Sequence, residues 1–244
     1  MTQSLIELRN VKHYYNGRLV LNVPYLDIFS NKITILLGPN ASGKSTLLRL
    51  INMLEQPGEG NIYFKDVDII RLSREKRLEL QRQMVMVFQR PVLLNATLFE
   101  NVAFGLHLRG MDSKIIEKRV EEVLKFMKLD HLADRSATRL SGGEVQLAAI
   151  ARGLAVNPEL LILDEPMNNL DPRHVKLLEQ TVLDISRERD MSIIIVTHQI
   201  PQVSRMADEV VLLEEGEVIE SGPAEEIFNN PQKEFTREFI GGII

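Results

Sequence analysis

The sequence predicts an α/β fold with a largely parallel central sheet, an antiparallel β edge and an inserted α-helical subdomain. Three observations predict it. Compact apolar runs of strand length alternate with helical patterns. One of those runs leads through a glycine-rich turn directly into a helix. Between Pro91 and Asn157 the pattern is helical.

Taken in order, Leu5 to Leu8 and Leu19 to Phe29 read as strands of the antiparallel edge. Ile33-Thr34-Ile35-Leu36-Leu37 reads as a buried strand, and Lys44 to Leu54 as the helix after it. Met84 to Phe88, Leu160 to Leu163 and Ile193 to Val196 are further buried strands, with Met84 and Met86 in the core. Asn61 to Phe64 and Val218 to Glu220 are short strands beside turns. The basic run Arg71, Arg74, Lys76, Arg77 and Arg82 reads as a solvated helix face. In the middle, Ile116, Val120, Val123 and Met127 recur on one side of a helix. The expected organisation is one domain, with residues 1–90 and 158–244 forming the core and 91–157 the helical subdomain.

A length of 244 residues is enough to bury a substantial core. The net charge of -5 gives no electrostatic reason to expect a nucleic-acid partner, which usually demands a basic face. Cysteine is absent, which excludes a disulfide scaffold and a Cys-ligated metal. Met1 to Asn10 lacks the continuous apolar run of a secretory signal. Apolar runs such as Ile193 to Val196 fall far short of the ~20 residues that span a bilayer. Work at a membrane therefore requires a partner that crosses it.

Three motifs carry chemistry. Gly38-Pro39-Asn40-Ala41-Ser42-Gly43-Lys44-Ser45 fits G-x-x-x-x-G-K-[ST] between a strand and a helix. Glycines let the backbone wrap close to phosphate, and successive N–H groups at the helix start point at the anion. Lys44 is expected to reach the β- and γ-phosphates of a nucleotide, and the Ser45 hydroxyl to ligate Mg²⁺. Second, the apolar strand Leu160 to Leu163 ends in Asp164 and Glu165. Asp164 suits Mg²⁺, directly or through water, and Glu165 suits the general base that polarises an attacking water. Third, Leu140-Ser141-Gly142-Gly143-Glu144 opens another helix. Ser141 and Glu144 form a capping box there, and the same free N–H groups that need capping also grip anions.

A P-loop, an L-S-G-G-E signature just before an Asp-Glu strand, and a later strand ending in His together resemble the ABC ATPase family over nearly the whole chain. The resemblance implies a P-loop NTPase (RecA-like) core that binds ATP and Mg²⁺. It implies that Gln89 contacts Mg²⁺ and the attacking water, that His198 sits at the γ-phosphate, and that Thr46 touches the α-phosphate. Tyr15 matches the aromatic that stacks on adenine, with Tyr14 a rival assignment, and Asn169-Leu170-Asp171 matches the segment across the dimer interface. Ser141, Gly142 and Gly143 are then expected to serve, in trans, ATP bound to a second copy of the chain. His13, His107, His131 and His174 match no motif and read as surface or packing residues. Two departures stand out: Leu147 where the family often has Arg, and Met167-Asn168-Asn169 where small residues are usual. Neither removes a catalytic group.

The family resemblance implies a subunit on the cytoplasmic face of the cell membrane, working as a homodimer with integral membrane permease subunits and an extracytoplasmic substrate-binding protein. After Gly222-Pro223-Ala224-Glu225-Glu226-Ile227-Phe228 there is no room for the extra C-terminal regulatory domain of sugar-type importers. The segments Phe88 to Leu94 and Asn101 to Leu106 look most like importers of small oxyanions such as tungstate or phosphate. Polar amino acid import, export and a soluble ABC ATPase outside transport are the alternatives.

Overall fold

The computed structural model describes residues 3–168 and 170–242. An antiparallel hairpin opens the chain: β1 (Ser4–Tyr15) and β2 (Arg18–Phe29). The hairpin turns at Asn16-Gly17, both at positive φ (50° and 77°), the pair of left-handed residues that a two-residue turn between twisted strands requires. The first strand is thus much longer than its apolar stretch Leu5 to Leu8. Then come β3 (Ile33–Leu37) and α1 (Lys44–Ile51). That helix stops short of Leu54, because Asn52 caps it and Met53 turns to φ 55°.

The chain continues through β4 (Glu59–Phe64), β5 (Val67–Asp68), α2 (Arg74–Gln81) and β6 (Met84–Val87). The basic α2 buries none of its residues, as a solvated helix must. Next are α3 (Leu98–Leu108), α4 (Ser113–Phe126) and α5 (Gly142–Ala155), all between β6 and β7 (Leu160–Asp164). The rest is α6 (Pro172–Arg189), β8 (Ser192–Val196), α7 (Ile200–Met206), β9 (Glu209–Glu214), β10 (Glu217–Pro223), α8 (Ala224–Asn229) and α9 (Glu234–Ile240).

The strands form one sheet in the order β5-β4-β1-β2-β10-β9-β3-β8-β7-β6. From β9 to β6 the neighbours run parallel, and β5-β4-β1-β2 run antiparallel. Because side chains alternate along a strand, the parallel strands feed two cores. On one face Ile35, Leu163 and Ile195 pack with Val102, Val123, Leu147 and Ile150 of the three middle helices. On the other, Leu36, Ile162 and Ile194 pack with Leu47, Leu48 and Leu50 of α1 and with Leu8 and Val23 of the hairpin. The stripe Ile116, Val120, Val123 and Met127 is buried throughout.

The register sets the site. Leu36 of β3 and Asp164 of β7 both face Val196 of β8, and Val87 of β6 faces Leu163. Strands β3, β6, β7 and β8 therefore end on one rim, the place where open α/β sheets bind ligands.

Candidate functional site

The loop after β3 wraps tightly. Gly38 has φ 142°, and a Cβ there would lie 2.0 Å from the Leu213 carbonyl oxygen, so only glycine fits. Helix α1 has no side-chain cap and no acidic residue in its first turn, which leaves its leading N–H groups for an anion. The Lys44 ammonium lies buried in the loop's mouth. Its Nζ donates to the Gly38 carbonyl (2.9 Å), the Pro39 carbonyl (2.6 Å) and Ser42 Oγ (3.2 Å). Burial pulls the pKa of Lys44 down, against the opposing charges of Glu165 and Asp164.

Across the loop, the Ser45 hydroxyl donates to Asp164 Oδ2 at 3.4 Å. Burial pushes the Asp164 carboxyl up, and the charge of Glu165 adds to it. A hydroxyl and a carboxylate in contact, both hard oxygen donors, with the Glu165 carboxylate beside them, fit a divalent cation such as Mg²⁺.

Glu165 sits in a left-handed turn (φ 46°) that turns its side chain off the strand. Its backbone N–H donates to the Val196 carbonyl (3.0 Å), tying the ends of β7 and β8 together. That tie brings His198 Nδ1 to 3.5 Å from Glu165 Oε2. A cleft of about 340 Å³ runs along the loop, lined by Tyr15, Val20, residues 40–46 and Glu165. Tyr15 lines this cleft; Tyr14 does not, and its hydroxyl donates to Glu59 at 2.7 Å. Gln89 follows β6 two residues after Val87, on the rim beside the carboxylates, but exposed and without a hydrogen bond to them among the described residues. Lys44, Ser45, Thr46, Tyr15, Asp164, Glu165 and His198 are thus brought together, and Gln89 lies at their margin.

The signature residues lie elsewhere. None of Ser141, Gly142 and Gly143 lines the loop cleft. Ser141 caps α5: Glu144 N donates to Ser141 Oγ (3.4 Å), and Ser141 N donates to Glu144 Oε2 (2.7 Å). That backbone bond, against the cost of desolvation, holds the Glu144 carboxyl below its ordinary range.

The profile of the ABC transporter family matches residues 21–168, a span that holds the P-loop, the signature and the Asp164-Glu165 pair. The chain belongs to the ABC transporter family. A phosphate import ATP-binding protein, PstB, of Thermotoga maritima is 40% identical over 252 residues, covering 99% of both chains. The tungstate uptake system ATP-binding protein TupC of Peptoclostridium acidaminophilum is 38% identical over 216 residues, covering 88% of this chain and 97% of its own. Among solved structures, a dimeric ATP-binding cassette in a post-hydrolysis state, bound to ADP and Pi, matches with a TM-score of 0.80 at 30% identity, covering 90% of this chain and 98% of that one.

The departures of this ABC ATPase from its family now have a physical place. Leu147 is buried in the core that the middle helices share with the sheet. Met167 is buried too. Asn168 Nδ2 donates to Glu165 Oε2, so the residue at the unusual position grips the candidate base. Asn169, named above from the resemblance, lies outside the described residues. His174, a surface or packing residue by sequence, packs specifically. Its Nδ1 lies 2.5 Å from Asp171 Oδ2, and its ring covers the Cα of Gly143, where a Cβ would fall 2.1 Å from Cδ2. The three-residue spacing of His174 after the N-cap Asp171 is the signal that hinted at the first contact; no sequence signal announces the second.

Proposed function

We propose that this ABC ATPase binds and hydrolyses ATP to power import of a small oxyanion such as phosphate or tungstate. Similarity to the ATP-binding proteins of a phosphate and a tungstate import system, over 99% and 88% of this chain, carries the reading. The subunit works at the cytoplasmic face of the membrane as a homodimer, on integral membrane permease subunits fed by an extracytoplasmic substrate-binding protein. No described helix is long and apolar enough to cross a membrane, so the crossing belongs to a partner. An apolar cleft of about 340 Å³ lined by Val87, Phe88, Val92, Phe104 and Leu108 supports a docking site for that partner. Phe88 and Leu108 stand 49% and 69% exposed and share this cleft with the exposed Val92, the kind of contiguous apolar patch that a partner covers.

In this reading adenine stacks on Tyr15 and the phosphates lie along Gly38, Pro39, Asn40, Ala41, Ser42, Gly43, Lys44, Ser45 and Thr46. Lys44 Nζ exchanges the Gly38 and Pro39 carbonyls for β- and γ-phosphate oxygens. Ser45, Asp164 and Gln89 would hold Mg²⁺, which when bound neutralises charge on the phosphates. Glu165 orients the attacking water and takes its proton, with Asn168 holding the carboxylate and His198 between it and the γ-phosphate. Ser141, Gly142 and Gly143 complete the site on a second copy of the chain, so that ATP closes two chains head to tail. The dimeric, post-hydrolysis relative supports that geometry.

The test is reconstitution with the permease and binding protein in proteoliposomes. ATP hydrolysis should rise when phosphate or tungstate is supplied and not when a polar amino acid is. Stimulation by the amino acid alone would overturn the oxyanion reading.

A further inference from the structure

Three residues outside the catalytic rim converge on the hydroxyl end of Tyr15. Tyr15 Oη donates to Glu55 Oε2 at 2.6 Å. His13 Nε2 lies 3.1 Å from the same oxygen, and Arg49 Nη1 lies 3.6 Å from the other oxygen, Oε1. His13 and Tyr15 are two apart on β1 and so share a face. Their rings meet edge to face, centroids 4.9 Å apart and planes at 90°. Among the described residues neither nitrogen of the buried His13 completes a hydrogen bond, and the Glu55 carboxylate is the acidic group beside it. Glu55 is itself tied to the P-loop helix: its N–H donates to the Arg49 carbonyl at 3.3 Å, in the turn that closes α1. The tyrosine ring is thereby fastened at one end by β1 and at the other by the helix whose start carries Lys44.

We propose that Glu55 is a positioning residue for nucleotide recognition: it fixes the Tyr15 ring at the angle and height a purine base stacks on, relative to the phosphate loop. This rests on Tyr15 as the base-stacking residue. A ring on an exposed strand end would otherwise swing about χ1, and stacking would have to order it on each binding event. Anchoring through the P-loop helix makes the distance from base to phosphate a property of the fold. The Arg49 guanidinium, at the other carboxylate oxygen, leaves Oε2 of Glu55 for the hydroxyl.

The experiment measures affinity for Mg-ATP and for Mg-tripolyphosphate, which has the phosphates and no base, in the full-length chain. The variants are Glu55→Ala, Glu55→Gln, Tyr15→Phe, Tyr15→Ala and Tyr15→Ala/Glu55→Ala. Tyr15→Ala should weaken ATP by ~10-fold or more, the loss of one base–aromatic stack, and spare tripolyphosphate. Glu55→Ala and Tyr15→Phe should each weaken ATP by roughly 3- to 10-fold, the loss of one anchoring hydrogen bond, again sparing tripolyphosphate, with the rise in KM exceeding the fall in kcat. Glu55→Gln keeps an acceptor for the hydroxyl and should restore most of the affinity. The double variant should be no weaker than Tyr15→Ala alone, because Glu55 has nothing left to position. Losses that add, or an equal loss for tripolyphosphate, would overturn the proposal while leaving Tyr15 in its role. Wild-type ATP affinity in Tyr15→Phe would overturn it even if Glu55→Ala fails to fold. Unchanged ATP affinity in Tyr15→Ala would overturn the stacking reading itself.

Discussion

Replacing Glu165 by Gln separates chemistry from binding, and the structure says why the fold should survive it. Gln keeps the shape and an oxygen that accepts from Asn168 Nδ2. It removes a charge that raises the Asp164 carboxyl and, in the opposite sense, one that favours the Lys44 ammonium. These changes oppose each other, so stability should stay within about 1 kcal/mol of the parent. In the proposed mechanism hydrolysis loses its base. General-base catalysis supplies ~100- to 10,000-fold, or about 2.7 to 5.4 kcal/mol of barrier at 1.36 kcal/mol per decade. Phosphate release should therefore fall at least ~100-fold while Mg-ATP still binds, and sedimentation or light scattering should show an ATP-dependent shift from monomer to dimer. Full hydrolytic activity in this variant would refute Glu165 as the base. Binding without dimer formation would refute the shared site, and the signature residues would then serve a different partner.

Three more outcomes are expected. Because the Asp164 carboxyl titrates above its ordinary range, the folded state binds that proton more tightly than the unfolded chain; stability falls as pH rises from the unfolded pKa through the raised folded one, and the penalty persists at neutral pH. Asp164→Asn should thus raise the melting temperature of the nucleotide-free protein at pH 7 and abolish Mg-dependent hydrolysis, and a lower melting temperature would contradict the electrostatics. Gly143→Ala drives a methyl into the His174 ring and should cost roughly 1 to 3 kcal/mol of overpacking, much of it recovered by adding His174→Ala; thermal melts of the single and double variants check it. Leu108→Glu in the apolar cleft should leave hydrolysis by the isolated subunit near the parent value and lower copurification with the membrane partner, as a pull-down from detergent extract would show.

Local signals wrote much of the candidate site into the chain. The glycine-rich loop, the Asp164-Glu165 strand end and the strand before His198 are contiguous motifs whose chemistry follows from residue type and spacing. The helical middle was legible for the same reason, since a one-sided stripe such as Ile116, Val120, Val123 and Met127 is a local pattern. Polar and mixed elements were harder. Helix α6 carries start signals, Asp171 as N-cap and Pro172 in its first turn, and a buried stripe of Leu178, Val182 and Ile185, but polar residues such as Glu179 and Thr181 sit among them and dilute the pattern. Strand β1 runs on through Lys12, His13 and Tyr14 because it pairs with two neighbours, and pairing is not a local property.

By itself, then, the sequence determined the fold class, the phosphate loop, the paired carboxylates and the family, because each rests on residues close together in the chain. Only the tertiary structure decided which tyrosine faces the loop, that Asn168 and His198 converge on Glu165, that His174 covers Gly143, and that Glu55 joins Tyr15 to the P-loop helix. Those contacts depend on where the register and twist of one sheet bring distant strand ends and loops. A one-residue slip of the first strand would turn Tyr15 to the opposite face of the sheet.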